Sequence, residues 1–103
     1  MGNIVYGFTP THPGEVLKDE IEYRGISQSR LAKQMKMSYN ILNDILNERR
    51  PLTTTTAMMF EAALDIPADS LMRIQLKYNM QMAKKDNKLL ARLAEISKMT
   101  AMI

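Results

Sequence analysis

The sequence has no cysteine, no tryptophan and a single histidine, and its aromatic residues amount to four tyrosines and two phenylalanines. Without cysteine there is no disulfide and no thiolate metal site. The lone His12 has no companion for metal binding or catalysis, so its expected role is structural, bonding backbone just ahead of the first helix. Nucleophile–base pairs, paired catalytic carboxylates, a glycine-rich phosphate loop and a ligand cluster are also missing. An enzyme is therefore the weakest function class, and neither cofactor nor metal is expected. No apolar run is long enough for a signal peptide or a membrane span, which makes a cytoplasmic protein the expectation. With so few aromatics, the core must be built from aliphatic residues and the ten methionines, which adapt to irregular gaps. That inventory suits an all-α bundle.

What is present is a chain of 103 residues, 46% apolar and 24% charged, the composition of one globular domain. Its most informative stretch is Ser27 to Arg50, SQSRLAKQMKMSYNILNDILNERR. Ser27 and Ser38 each suit an N-cap, where the hydroxyl accepts a free N–H of the first turn. After Ser27, Leu31, Ala32 and Met35 share one helical face; after Ser38, Ile41, Leu42, Ile45 and Leu46 do the same and are expected to be core. Outward from the second helix point Tyr39, Asn40, Asn43, Asp44 and Asn47, four of them in an i, i+3, i+4, i+7 stripe. Asparagine is a mediocre helix former, so an ordinary solvated face would favour Glu, Lys or Gln. Its amide is, however, matched to base edges, donating to N7 and accepting from N6–H of adenine. Two short helices with such a polar outer face form a DNA-reading device, with Tyr39, Asn40 and Asn43 reading bases. Asp44 repels phosphates, so it is expected either to accept from a cytosine amino group or to pair with a basic neighbour such as Arg30.

The net charge of +3 is unevenly spread. Residues 1–25 carry two basic and four acidic groups, 26–51 five and two, 52–70 none and three, and 71–103 seven and two. One basic excess coincides with the helix pair, where Lys36, Arg49, Arg50 and the helix N-terminus at Ser38 are candidates for phosphate contacts. The other lies in the C-terminal segment, where a solvated helix face accounts for it.

Three segments flank this region: residues 1–12 as an arm, 13–82 as the DNA-binding domain, and 83–103 as a tail. In the arm, Ile4, Tyr6 and Phe8 alternate as in a strand that packs on its own domain or pairs with another chain. Pro13 and Gly14 introduce a helix with Val16, Leu17 and Ile21 inward, ending at Arg24 and Gly25. Thr53 is expected to cap a fourth helix with Ala57, Phe60, Ala63 and Leu64 buried. After Pro67 a fifth helix carries Leu71, Ile74, Tyr78 and Met82 on one face. The polar stretch 84–88 interrupts the pattern. Leu89, Leu90, Leu93 and Ile96 then form an amphipathic tail, either folded on the domain or ordered by binding another protein.

The residues SQSRLAKQM, then SYNILNDILNERRPLT, resemble the helix-turn-helix of the lambda-repressor-like (XRE) superfamily, and His12-Pro13-Gly14-Glu15 followed by Leu17 narrows the resemblance to the HigA antitoxins, over roughly residues 10–80. The resemblance implies a compact five-helix domain with an additional C-terminal helix. It implies a phosphate contact for Gln28 and a homodimer in which the fifth helix, with Leu71, Ile74, Gln75 and Tyr78, meets its partner. It also implies binding to a palindromic operator in double-stranded DNA, and neutralisation of a small RelE-like ribonuclease toxin whose operon the protein represses. Where the family usually has glycine, at the inter-helix turn and after the recognition helix, this chain has Lys36 and Glu48; a left-handed conformation there costs on the order of 1 kcal/mol each. Competing readings are a phage- or host-type repressor with no toxin and a module that binds only protein.

Overall fold

The computed structural model describes residues 10–103, and all of the described secondary structure is helical: α1 (Pro13–Tyr23), α2 (Gln28–Gln34), α3 (Tyr39–Leu46), α4 (Thr54–Leu64), α5 (Ala68–Ala83) and α6 (Asn87–Ala101). The expected alternation of Ile4, Tyr6 and Phe8 lies outside the described residues. No helix among those described is long and apolar enough to cross a membrane.

Local chemistry sets the boundaries. Ser27, Ser38 and Thr53 accept from the N–H groups of Arg30, Ile41 and Thr56, as their positions as N-caps require. Asp86 caps α6 through Lys88 N and Leu89 N. The ends of α1, α2 and α3 share one device, in which a left-handed residue reverses the chain and two backbone bonds close the last turn. At α1 the left-handed residue is Gly25 (φ 66°), with Gly25 N–H bonding Glu22 O and Ile26 N–H bonding Ile21 O. At α2 it is Lys36 (φ 53°), with bonds from Lys36 to Lys33 and from Met37 to Ala32. At α3 it is Glu48 (φ 63°), with bonds from Glu48 to Ile45 and from Arg49 to Asp44. Two side chains thus occupy conformations that favour glycine, and the closure bonds are formed in both despite the strain.

A single core joins α1 to α5: Leu17, Leu31, Leu42, Ile45, Phe60 and Leu71 are its largest fully buried apolar side chains. Three expected inward positions fall outside it, the first being Val16, which is only half-buried. Ile41 is 37% exposed, because Leu42, Ile45 and Leu46 already fill the contact of the short α3 and leave Ile41 on its flank. Ala63 is exposed, since α4 buries the narrower stripe Ala57, Phe60 and Leu64. Arg24 ties the end of α1 to that of α4, its Nη1 donating to Leu64 O at 2.8 Å. The tail forms a helix, yet no residue of α6 is buried, and Leu90, Leu93 and Ile96 stand 41–53% exposed. It therefore adds nothing to the core of its own domain.

Candidate nucleic-acid interface

The placement of α3 begins at the start of α1. His12 caps that helix, its Nδ1 accepting from Gly14 N–H at 2.9 Å, and Pro13 occupies a first-turn position where no N–H is needed. Gly14 lies against the backbone of α3 so closely that a Cβ added to it would be 2.0 Å from the Ile45 carbonyl oxygen. Leu42, Ile45 and Leu46 press the inner face of α3 into the core, and its other face is left to solvent.

On that outer face Tyr39 is 47% exposed and Asn40 is exposed without a side-chain hydrogen bond among the described residues. Asn43, Asp44 and Asn47 are half-buried and joined in a network. Lys18 Nζ of α1 donates to Asn47 Oδ1 at 3.1 Å; Asn47 Nδ2 donates to Asn43 O at 2.9 Å and to Asn43 Oδ1 at 3.2 Å. Arg49 Nη2 donates to Asn43 Oδ1 at 2.9 Å, while Arg49 Nε meets Asp44 Oδ1 at 3.1 Å. Arg50 Nη2 lies 3.6 Å from Asp44 Oδ2. Asp44 thus pairs with Arg49 and Arg50, not with Arg30: the closed end of α3 turns the chain back so that both arginines reach the carboxylate. Lys18 was not legible as part of the face from the sequence, since it meets it from a different helix.

Among the phosphate candidates, Lys36, Arg49 and Arg50 are exposed and the Ser38 hydroxyl is committed to Ile41 N–H at 3.1 Å. Gln28 is half-buried at the start of α2; its Nε2 is buried with no partner among the described residues, so the amide must turn to meet a phosphate oxygen. No cluster of three His, Asp or Glu side chains among the described residues has the arrangement to hold a metal ion.

The four candidates for a two-fold contact divide into two pairs. Leu71 and Gln75 are 1% and 3% exposed, buried inside the protomer, which removes them from any surface a partner would touch. Gln75 instead holds the loop after α3, its Oε1 accepting from Leu52 N–H at 2.7 Å and its Nε2 donating to Asn79 Oδ1 at 2.8 Å. Ile74 and Tyr78 are half-buried, and Tyr78 meets the His12 ring edge-on at 4.8 Å between centroids.

Burial pushes the His12 pKa below its ordinary value of 6.5, and the Glu48 carboxylate only partly opposes the shift. The neutral ring is the form the cap needs, because a protonated Nδ1 cannot accept from Gly14. With the folded pKa below the unfolded one, this contribution to stability is complete above 6.5 and is lost as pH falls from there through the folded value. The melting temperature should therefore fall as the pH is lowered from 6.5 toward the folded value. His12→Asn, which keeps an N-cap acceptor without a titrating ring, should lose this part of the pH dependence. Parallel melting curves for the two proteins between about pH 5.5 and 7.5 would contradict the assignment.

Residues 17–71 match the helix-turn-helix family. Virulence-associated protein I of Dichelobacter nodosus is 34% identical over 76 residues, which span 73% of this chain and 70% of that one. Among solved structures, an addiction module antidote protein of a HigA family from Coxiella burnetii is 30% identical and superposes with a TM-score of 0.73, covering 82% of this chain and 95% of its own. The Pseudomonas aeruginosa antitoxin HigA, solved with the higBA promoter, is 34% identical with a TM-score of 0.72, covering 77% of this chain and 87% of its own. This chain belongs to the helix-turn-helix family and, within it, is a HigA-like protein of the XRE type.

Proposed function

We propose that the protein is a sequence-specific DNA-binding antitoxin, cytoplasmic and homodimeric, that represses its own operon and neutralises a RelE-like ribonuclease toxin. The observation that carries the DNA half is the outer face of α3, where Tyr39 and Asn40 are exposed and the exposed cations Arg49 and Arg50 pair with Asp44. Tyr39, Asn40 and Asn43 read base edges, Asp44 orients the two arginines, and Lys36, Arg49, Arg50, Gln28 and the N-terminus of α3 at Ser38 hold phosphates. Ile74 and Tyr78 take part in the two-fold contact. The toxin half is supported by the relatives described as antitoxins and by an antidote protein of an addiction module.

Two recognition helices related by a two-fold enter successive major grooves, so the half-site centres should lie about 34 Å apart, one turn of the duplex. Footprinting of the protein's own promoter should show two protected, inverted half-sites at that spacing. Protection of one isolated half-site by a monomer at every concentration would contradict the proposal. A phage- or host-type repressor without a toxin keeps the same reading face, and the product of the adjacent gene decides between the two. As an antitoxin, the protein co-purifies with that product and suppresses its ribonuclease activity.

A further inference from the structure

The polarity of the Asn43 amide is fixed by its neighbours. An ammonium and a guanidinium possess only donors. The Asn47 atom that faces Lys18 Nζ must therefore be Oδ1, which turns Asn47 Nδ2 toward the backbone oxygen and Oδ1 of Asn43. Independently, the Asn43 atom that faces Arg49 Nη2 must be oxygen. Donors at both ends of the chain Lys18–Asn47–Asn43–Arg49 set one orientation, and the usual ambiguity between amide oxygen and nitrogen does not arise. Asn43 Oδ1 receives two hydrogen bonds, one for each lone pair, while Nδ2 has no partner among the described residues and is not buried.

We infer that Asn43 reads DNA as a donor alone. Resting on the proposal that α3 enters the major groove, this makes position 43 selective for a base edge that offers acceptors, guanine with N7 and O6 above all. Adenine would present N6–H to an oxygen already fully used, and its paired recognition would require Arg49 or Asn47 to let go. Lys18, which touches no base, adds one more donor from α1, while the Asn43 carbonyl and Arg49 Nη2 already fix the two amides. Asn40 carries no such constraint and is free to pair with adenine.

The test is selection of bound duplexes from a random 30-bp pool by the full chain, followed by titration of the selected site. The half-site position read by residue 43 is the one at which Asn43→Ala becomes indifferent to sequence. Guanine is expected there. Replacing it with adenine should weaken the wild type about tenfold, and 7-deazaguanine should weaken it as well. Asn43→Asp, which has acceptors only, should shift the choice to cytosine. The inference is overturned if the position holds adenine and removal of its amino group weakens binding. A selected site in which no position responds to Asn43→Ala overturns it too, with DNA reading by the rest of α3 intact. If the wild type enriches no site at all, the DNA-reading proposal fails and this inference falls with it.

Discussion

Gly14→Ala should be among the most damaging single substitutions in the protein. The added Cβ would stand 2.0 Å from the Ile45 carbonyl oxygen and 3.1 Å from its carbon, so the atoms that must yield are backbone of α3 and not the end of a flexible side chain. Gly14 is also 3.0 Å from His12 Nδ1 at the would-be Cβ, so relief by tilting α1 disturbs the cap that starts that helix. Neither helix can retreat freely, because Leu17 and Ile21 on one and Leu42 and Ile45 on the other are buried in the same core. Overpacking of this kind costs about 3 kcal/mol or more, a fall in melting temperature of roughly 10–20 °C for a domain of this size. Because α3 carries the outer face, variant that remains folded in the cold should also bind its operator more weakly. A melting temperature within about 3 °C of the wild type would show that α1 and α3 are not locked at this point.

The same contact shows what sequence reasoning reaches. His12, Gly14, Ser27, Ser38 and Thr53 act on backbone within a few residues of themselves, and capping chemistry of that range is readable from residue types. That Gly14 must be glycine depends on a carbonyl in α3, which no local pattern announces. Periodicity located the buried faces but drew them too wide. Ile41 and Ala63 share the spacing of core residues and lie outside the contact, because the width of a buried stripe depends on what packs against it. The family resemblance placed Gln75 in a contact between chains. Its amide instead pairs with Leu52 and Asn79 inside one protomer, a destination visible only in three dimensions. Lys18 is the strongest case, since an ordinary exposed lysine of α1 joins the outer face through Asn47.

The central claim is that one side of α3 reads bases while the cations after it hold phosphates, and the two roles leave different energetic signatures. The Asn40 amide has no partner among the described residues, so Asn40→Ala should cost about 1–3 kcal/mol on the cognate operator and almost nothing on random DNA. Arg50 is exposed and, among the described residues, has only the long 3.6 Å contact with Asp44 to give up when it meets a phosphate. Arg50→Ala should therefore weaken cognate and random duplexes together and reduce the slope of log K against log salt by roughly one unit. Both side chains are exposed, so neither change should alter the fold. The most direct measurement is a titration of wild type, Asn40→Ala and Arg50→Ala against both duplexes at several salt concentrations. The account predicts lost discrimination with an unchanged salt slope for Asn40→Ala, and kept discrimination with a shallower slope for Arg50→Ala; equal loss on both duplexes for Asn40→Ala would contradict it.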